Sequence, residues 1–264
     1  KSAVSSFQAL MISTASRVGV GNIAGVATAI SAGGPGAVFW MWLIAVLGSA
    51  SAFVESTLAQ VYKVKHGEEF RGGPSYYIQK ALGQRWLGII FSISLIACFA
   101  YGFNSLQANN IVSAFSYYFG GEFPSIAIPA AIGLALSALT GFIIFKGQKY
   151  IAFISSIMVP VMAIFYMALG LFIIVKNIGI LPATLANIFV SAFDFESFSG
   201  GLMGSAVLWG IKRGLFSNEA GMGSAPNAAA SAQVSHPAKQ GLVQLISVFI
   251  DTLLIFSTSA FIIF

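Results

Sequence analysis

Two short stretches carry the same residues in the same order. Arg17, Gly19, Gly21, Asn22, Ala24 and Gly25 stand in one; Arg213, Gly214, Asn218, Ala220 and Gly221 stand in the other, with Arg, Asn, Ala and Gly at equal intervals. Farther along, Thr28 meets Ser224 and Ala29 meets Ala225. Both stretches interrupt apolar runs. A helix broken inside a membrane frees N–H groups on one half and C=O groups on the other. Freed N–H groups attract a carboxylate, and freed C=O groups attract Na⁺ or an ammonium. A zwitterionic amino acid needs both. Glycines let the chain unwind and let a ligand approach closely, while Asn22 and Asn218 add amide donors and acceptors. Gly21 to Gly25 also spells the GxxxG packing motif, but its recurrence with the same Arg–Asn framework favours a site.

Charges inside apolar runs are costly and usually functional. Here they are Arg17, Glu55, Lys212, Arg213, Glu219 and Asp251. Glu219 adjoins the second interruption, six residues after Arg213. The pair reads either as an internal clamp on the broken helices or as a gate that opens. Asp251 reads as a cation ligand, a proton carrier or an acceptor from Lys212 or Arg213. Glu55 reads as a structural partner or a helix-end group. Asn104, Gln107 and Asn110 recur every third position, which places them along one helical face, with Asn109 beside them. They line a path or bond neighbouring helices. Phe103, Trp209 and Phe216 could shape an apolar pocket. His66 and His236 have no metal-ligand companions nearby in sequence, and no paired-Cys, HExxH, P-loop or GxSxG pattern occurs. No enzyme chemistry and no cofactor are indicated.

The elements that position these groups follow from composition. The 264 residues are 57% hydrophobic and 8% charged, far below the roughly 25% charge of a soluble domain. Lipid must cover most of the surface, and the net charge of +5 marks loop orientation rather than nucleic-acid binding. Apolar runs of this length exclude barrel strands and predict an all-α polytopic protein. Seven segments are expected: Ser6 to Ala32, interrupted near Gly19–Asn22; Pro35 to Val61; Trp86 to Tyr118; Ser125 to Phe145; Ile151 to Val175; Phe198 to Val234, broken near Gly214–Asn218; and Gly241 to Phe264. A polar loop, Tyr62 to Arg85, holds the breaker Gly72-Gly73-Pro74 and a short surface helix. Asn177 to Ser197 read as an extended or interfacial connection.

Lys63, Lys65, Arg71, Lys80, Arg85, Lys146, Lys149 and Lys239 fall in the loops after segments 2, 4 and 6; the opposite loops hold only Lys176, beside Glu122, Asp194 and Glu196. The Lys/Arg bias puts the N-terminal end in the cytoplasm. Segments 1 and 6 then run in opposite directions, as an inverted repeat requires. Both ends lie against apolar segments, so the chain is expected to be an internal piece of a longer protein. Its single Cys98 excludes an intrachain disulfide.

The stretches SFQAL, RVGVGNIAGVATAI, GGPGAVFWMW, FRGGPSYYI, NSLQANNI, GIKRGLFSNEAGMGSAPNAAASA and HPAKQGL resemble the bacterial sodium:alanine/glycine symporters, nearly end to end. The resemblance implies a leucine-transporter-like fold, five helices repeated in inverted orientation with helices 1 and 6 broken. It implies one transporter domain over 1–264, with a first repeat at about 5–176 and the start of a second at about 198–264. Na⁺-coupled symport of alanine or glycine across the bacterial inner membrane follows. The motif carries substrate-site roles onto Gly19, Gly21, Asn22, Asn104, Gln107, Gly210, Gly214, Phe216, Ser217 and Asn218. A partial Na⁺ site falls on Val18, Gly21 and Asn22, with Arg17, Arg213, Glu219 and Asp251 in coupling or gating. Proton coupling and a channel or sensor on the same scaffold are the rival readings.

Overall fold

A computed structural model describes residues 4–67, 69–193 and 202–264; the side chains of residues 20 and 202–205 are outside that description. Asp194, Glu196 and the first residues of segment 6 therefore lie outside the described residues. Among those described, five helices are long and apolar enough to cross a membrane. Segments 1 and 6 are not among the five because each is split into pieces too short to span alone.

Segment 1 begins as α1 (Ser6–Arg17), started by a reciprocal cap in which Ser5 and Gln8 bond each other's backbone. It stops at the extended Val18, passes through one 3₁₀ turn (Val20–Asn22) and resumes as α2 (Ala24–Gly33). Gly34, at φ +74, turns the chain into α3 (Ala37–Tyr62). A hairpin of β1 (Val64–His66) and β2 (Glu69–Arg71) leads to α4 (Pro74–Ala81). Segment 3 is one continuous helix: α5 (Arg85–Ile96), a π-helical stretch (Ala97–Phe103) and α6 (Asn104–Ser116). Then come α7 (Ala127–Phe145) and α8 (Gln148–Lys176).

The connection after segment 5 departs from the extended alternative expected for it. It is not extended but helical, as α9 (Leu181–Ala192), with Pro182 in its first turn, where a proline costs a helix nothing. Trp40 Nε1 donates to Ala192 O at 3.3 Å, and Phe39 packs its ring on Phe189 and Phe193, so α9 is fastened to the start of α3.

Segment 6 runs as α10 (Leu202–Asn218) and α11 (Ser224–Ser231). Its break falls at 219–223, not at 214–218. Segment 7 is α12 (Pro237–Phe249), a second π-helical stretch (Ile250–Phe256) and α13 (Ser257–Ile263).

α3 is the axle of the described fold and packs along α10, α11 and α12. An apolar cluster of Val26, Ala29, Val38, Met41, Ile188, Phe256 and Ala260 joins α2, α3, α9 and segment 7. Small residues allow the closest approaches: a Cβ on Gly210 would meet Trp40 and Ala37, and one on Gly214 would meet Ile44. By contrast, large apolar side chains on α5, α7 and α8 face outward, the coat a bilayer requires.

α11 is clamped at both ends from α3. Gly221 N–H donates to Glu55 Oε1 at 3.3 Å near its N-terminal end. At its C-terminal end, Gln60 Nε2 and Lys63 Nζ donate to the carbonyl of Ala232, at 2.9 and 2.7 Å. An anion at the start and a cation at the end complement the helix dipole. Burial pushes the Lys63 ammonium below its ordinary range, and burial with the Glu55 charge pushes the Tyr77 hydroxyl up to about 12.

The Gly72-Gly73-Pro74 breaker packs on α11. Gly73 sits at φ +126, and a Cβ there would run into Asn227. Gly73→Ala is expected to destabilise the full-length protein by about 2 kcal/mol or more. Gly67, at φ +62 with nothing near it, is the control, and Gly67→Ala is expected to cost about 1 kcal/mol. Thermal unfolding in detergent compares the two.

Candidate functional site

The centre of the described bundle is polar. Arg17, Asn22, Ser217, Asn218, Glu219, Gln240, Gln244, Ser247, Asp251 and Thr252 are all buried, and buried polar groups need partners. At the first break Gly19 N–H donates to Asn22 Oδ1 at 3.1 Å. At the second, Ala220 N–H donates to Asn218 Oδ1 at 3.1 Å. Each asparagine thus closes its own interruption with its side-chain oxygen. One bonds backward along the chain and the other forward.

The amide nitrogens part company. Asn22 Nδ2 donates to Asp251 Oδ1 at 2.6 Å. The other carboxylate oxygen of Asp251 accepts from Ser217 Oγ at 3.0 Å and from Thr252 Oγ1 at 3.1 Å. Segments 1, 6 and 7 therefore converge on one fully buried carboxylate. Asn218 Nδ2 is buried without a hydrogen-bond partner among the described residues, in space left by Gly48, whose Cβ would lie 3.1 Å from it.

Glu219 takes φ +49, the one described non-glycine residue with positive φ. Strain of this kind persists where surrounding contacts hold it. Its carboxylate accepts from Ser16 Oγ at 2.9 Å and from Ser224 Oγ. The expected Arg213–Glu219 pairing is not formed: the Arg213 guanidinium lies 5.5 Å over the Trp209 ring instead. The helix continues through Asn218, which keeps Arg213 on its own face while the flipped Glu219 turns toward α1. Neither Lys212 nor Arg213 is a hydrogen-bond partner of Asp251; Asn22, Ser217 and Thr252 hold it. Glu55 has the helix-end position anticipated for it. The starts of α2 at Ile23 and of α11 at Gly223 both lack a side-chain cap, so each break has N–H groups to offer a carboxylate.

Beside the first break lie two neighbouring cavities. One, about 480 Å³, is lined by Ala15, Ser16, Val18 and Gly19 of segment 1 and by Phe99, Ala100, Phe103, Asn104 and Gln107 of segment 3. The other, about 270 Å³, shares Val18, Gly19 and Gln107 and adds Asn22, Ile23, Met162, Ala163, Tyr166 and Ile255. The first has polar amides in its wall, whereas the second is mostly apolar. Phe99, Phe103 and Phe216 stack in parallel, with centroids 4.5 and 4.9 Å apart, and bridge segment 3 to segment 6. A Cβ on Gly21 would touch Phe216 at 3.4 Å.

The structure thus gathers Val18, Gly19, Gly21, Asn22, Asn104, Gln107, Phe216, Ser217, Asn218, Glu219 and Asp251 around the breaks. Gly210 and Gly214 lie inside α10, against α3. Asn104 and Asn110 bond their own helix, Nδ2 to the carbonyls of Ala100 and Leu106, and Asn109 is exposed. Sequence reasoning missed Ser16 and Ser224, which hold Glu219, and Gln240 and Gln244. The latter were legible: Gln240, Gln244, Ser247 and Asp251 follow a 4-3-4 spacing that defines one helical face. Both π-helical stretches carry site residues, as such irregularities often do.

A Cβ on Gly19 would come within 2.6 Å of Gln107 Nε2, whereas one on Gly25 would make ordinary contact at 3.8 Å with Arg213. Gly19→Ala is expected to raise the alanine concentration for half-maximal uptake about tenfold, ~1.4 kcal/mol, with Gly25→Ala near wild type. Uptake titrations on both variants check this.

Five helices long and apolar enough to cross a membrane, with two broken helices meeting at a buried carboxylate, fit a multi-pass membrane protein. The chain belongs to the sodium:alanine symporter family, whose model matches residues 1–264; its members are transporters, not enzymes. It is 56% identical over 260 residues to the amino-acid carrier protein AlsT of Bacillus subtilis, covering 98% of this chain and 55% of that one. To the probable sodium/glutamine symporter GlnT of the same organism it is 52% identical, covering 100% and 54%. To the sodium/alanine symporter AgcS of Methanococcus maripaludis it is 43% identical, covering 96% and 55%. The chain spans about half the length of the relatives it matches.

Proposed function

We propose that the full-length protein is a sodium-coupled symporter of a small neutral amino acid, alanine or glycine, working by alternating access in the bacterial inner membrane. The chain then supplies the first five-helix repeat, about 5–176, and the start of the second, about 198–264, with its N-terminal end in the cytoplasm. One observation carries this reading: Asn22 and Ser217, from the ends of the two broken helices, share the buried Asp251. A carboxylate with the Ser217 and Thr252 hydroxyls beside it suits a hard cation, which takes oxygen ligands. Val18 and Gly21 flank Asn22 and add backbone carbonyls to the set. The substrate carboxylate faces the start of α2, its ammonium faces freed carbonyls and Gln107, and its small side chain enters the apolar cavity.

Bound cation and amino acid together favour the state in which segments 1, 2, 6 and 7 rock against segment 3 and α7. Occupancy shifts a population through differential binding. The aromatic stack and the Gln107–Gly19 approach are the contacts that must slide.

Radiolabelled alanine uptake into liposomes, with a sodium gradient and then with potassium in its place, tests the reading. Uptake is expected only with sodium, and glycine is expected to compete. Sodium-independent uptake, or competition by glutamine but not by alanine or glycine, would refute it. A second reading is proton coupling through Asp251 or Glu219, favoured by two buried carboxylates at the breaks; one relative is named a sodium/proton-dependent alanine carrier protein. Uptake driven by a pH jump without sodium would establish it.

A further inference from the structure

We propose that Arg17 is a resident cation that balances the buried carboxylates whenever the transported cation is absent, and that Gln244 parks its guanidinium when that cation is bound. The proposal rests on the symport reading above. Arg17 is 3% exposed, in the last turn of α1. Its Nη1 donates to Gln244 Oε1 at 3.3 Å, while Nε and Nη2 have no hydrogen-bond partner among the described residues. A guanidinium carries five donors, and leaving a buried charge so poorly paired is among the costlier arrangements in a protein. Donors left idle in this way await a partner that arrives in another state.

The partners are at hand. Gln244, which holds Arg17, shares one buried face of segment 7 with Asp251. Ser16, the preceding residue, already touches Glu219. In this state each carboxylate is held by neutral donors instead: Glu219 by Ser16 and Ser224, Asp251 by Asn22, Ser217 and Thr252, Glu55 by Gly221 N–H. The other basic groups nearby are turned away, Arg213 onto Trp209 and Lys212 to the exterior. When a monovalent cation leaves Asp251, Arg17 is the positive group in this buried cluster able to compensate.

The parking place is built as well. Gln240, Gln244, Ser247 and Asp251 form one fully buried stripe on segment 7. Thr14 bonds Ser247 at 3.1 Å and registers α1 against the stripe. Gln240 Oε1 also lacks a hydrogen-bond partner among the described residues, so the stripe offers a second amide acceptor, one turn from Gln244, to which a guanidinium can move. Cation and guanidinium then compete for the same charges, and a ligand shifts such an equilibrium by its preference for one state.

Two variants of the full-length protein in liposomes separate this role from a structural one. Arg17→Gln is expected to lower half-saturating sodium at least threefold. It is also expected to cut sodium-driven net uptake at least tenfold relative to alanine exchange, measured with equal sodium and alanine on both sides. Net uptake needs the empty carrier to return and exchange does not. Gln244→Leu removes the parking site and is expected to raise half-saturating sodium at least threefold. Shifts in the same direction, an unchanged net-to-exchange ratio, or a half-saturating sodium that Gln244→Leu leaves level overturn the proposal. Should Arg17→Gln fail to reach the membrane, Gln244→Leu decides alone. A wild-type protein with no sodium-dependent uptake would overturn the symport reading itself, and this inference with it.

Discussion

Asp251→Asn in the full-length carrier is expected to raise half-saturating sodium more than a hundredfold while leaving the protein in the membrane. Asp251 is fully buried and bonded from three segments, by Asn22, Ser217 and Thr252. Asparagine keeps the shape but removes the charge. Taking one partner from a buried charge pair costs about 3–5 kcal/mol, which is more than two decades in affinity. The Asp251→Glu variant keeps the charge, displaced by one methylene, and is expected to retain measurable sodium-driven uptake. Sodium titration of alanine uptake by both variants checks the ordering. Equal losses in Asp251→Asn and Asp251→Glu would mean that fit, not charge, is what the site requires.

Asn22→Ala has the second large effect. Asn22 joins two jobs: its oxygen closes the first break on Gly19 N–H, and its nitrogen holds Asp251. Hydrogen bonds to charged groups contribute about 1.5–3 kcal/mol, so uptake is expected to fall roughly 10- to 100-fold. Membrane insertion should survive, because the long apolar helices are untouched. Asn218→Ala is the internal comparison. Its oxygen closes the second break, but its nitrogen has no partner among the described residues. The loss there is expected to be about threefold to tenfold, and a loss matching that of Asn22→Ala would separate the site from Asp251.

The unbroken spans were legible because their signal is additive: about 20 apolar residues suffice, and α3, segment 3, α7, α8 and segment 7 satisfy it. The first break was legible from Gly19, Gly21 and Asn22, and it lies there. The second was misplaced by a few residues. Gly210 and Gly214 look like unwinding points in sequence, yet both are helical and lie against Trp40 and Ile44. A glycine that admits a neighbouring helix and one that frees the backbone have the same letter. The true break depends on one residue, Glu219, taking positive φ, a choice that tertiary contacts with Ser16 and Ser224 decide. The same flip explains why Arg213 and Glu219, six residues apart, do not meet. The stretch 177–197 is legible as a connection, and its helix α9 is signalled by Pro182, since a proline in the first turn is a helix start. The Gln240–Gln244–Ser247–Asp251 stripe shows the opposite case, a periodic pattern present in sequence whose meaning emerged only with Arg17 beside it.

In the proposed symport cycle cation and amino acid bind at adjoining parts of the same two breaks, so each must change the other's affinity by the same factor. The most direct measurement is alanine binding to the purified full-length protein, with and without saturating sodium, for wild type and for Asp251→Asn. Sodium is expected to tighten alanine binding at least tenfold in the wild type and to have no effect in the variant. Alanine affinity that ignores sodium in the wild type, or that responds equally in both proteins, would contradict a shared site at the broken helices.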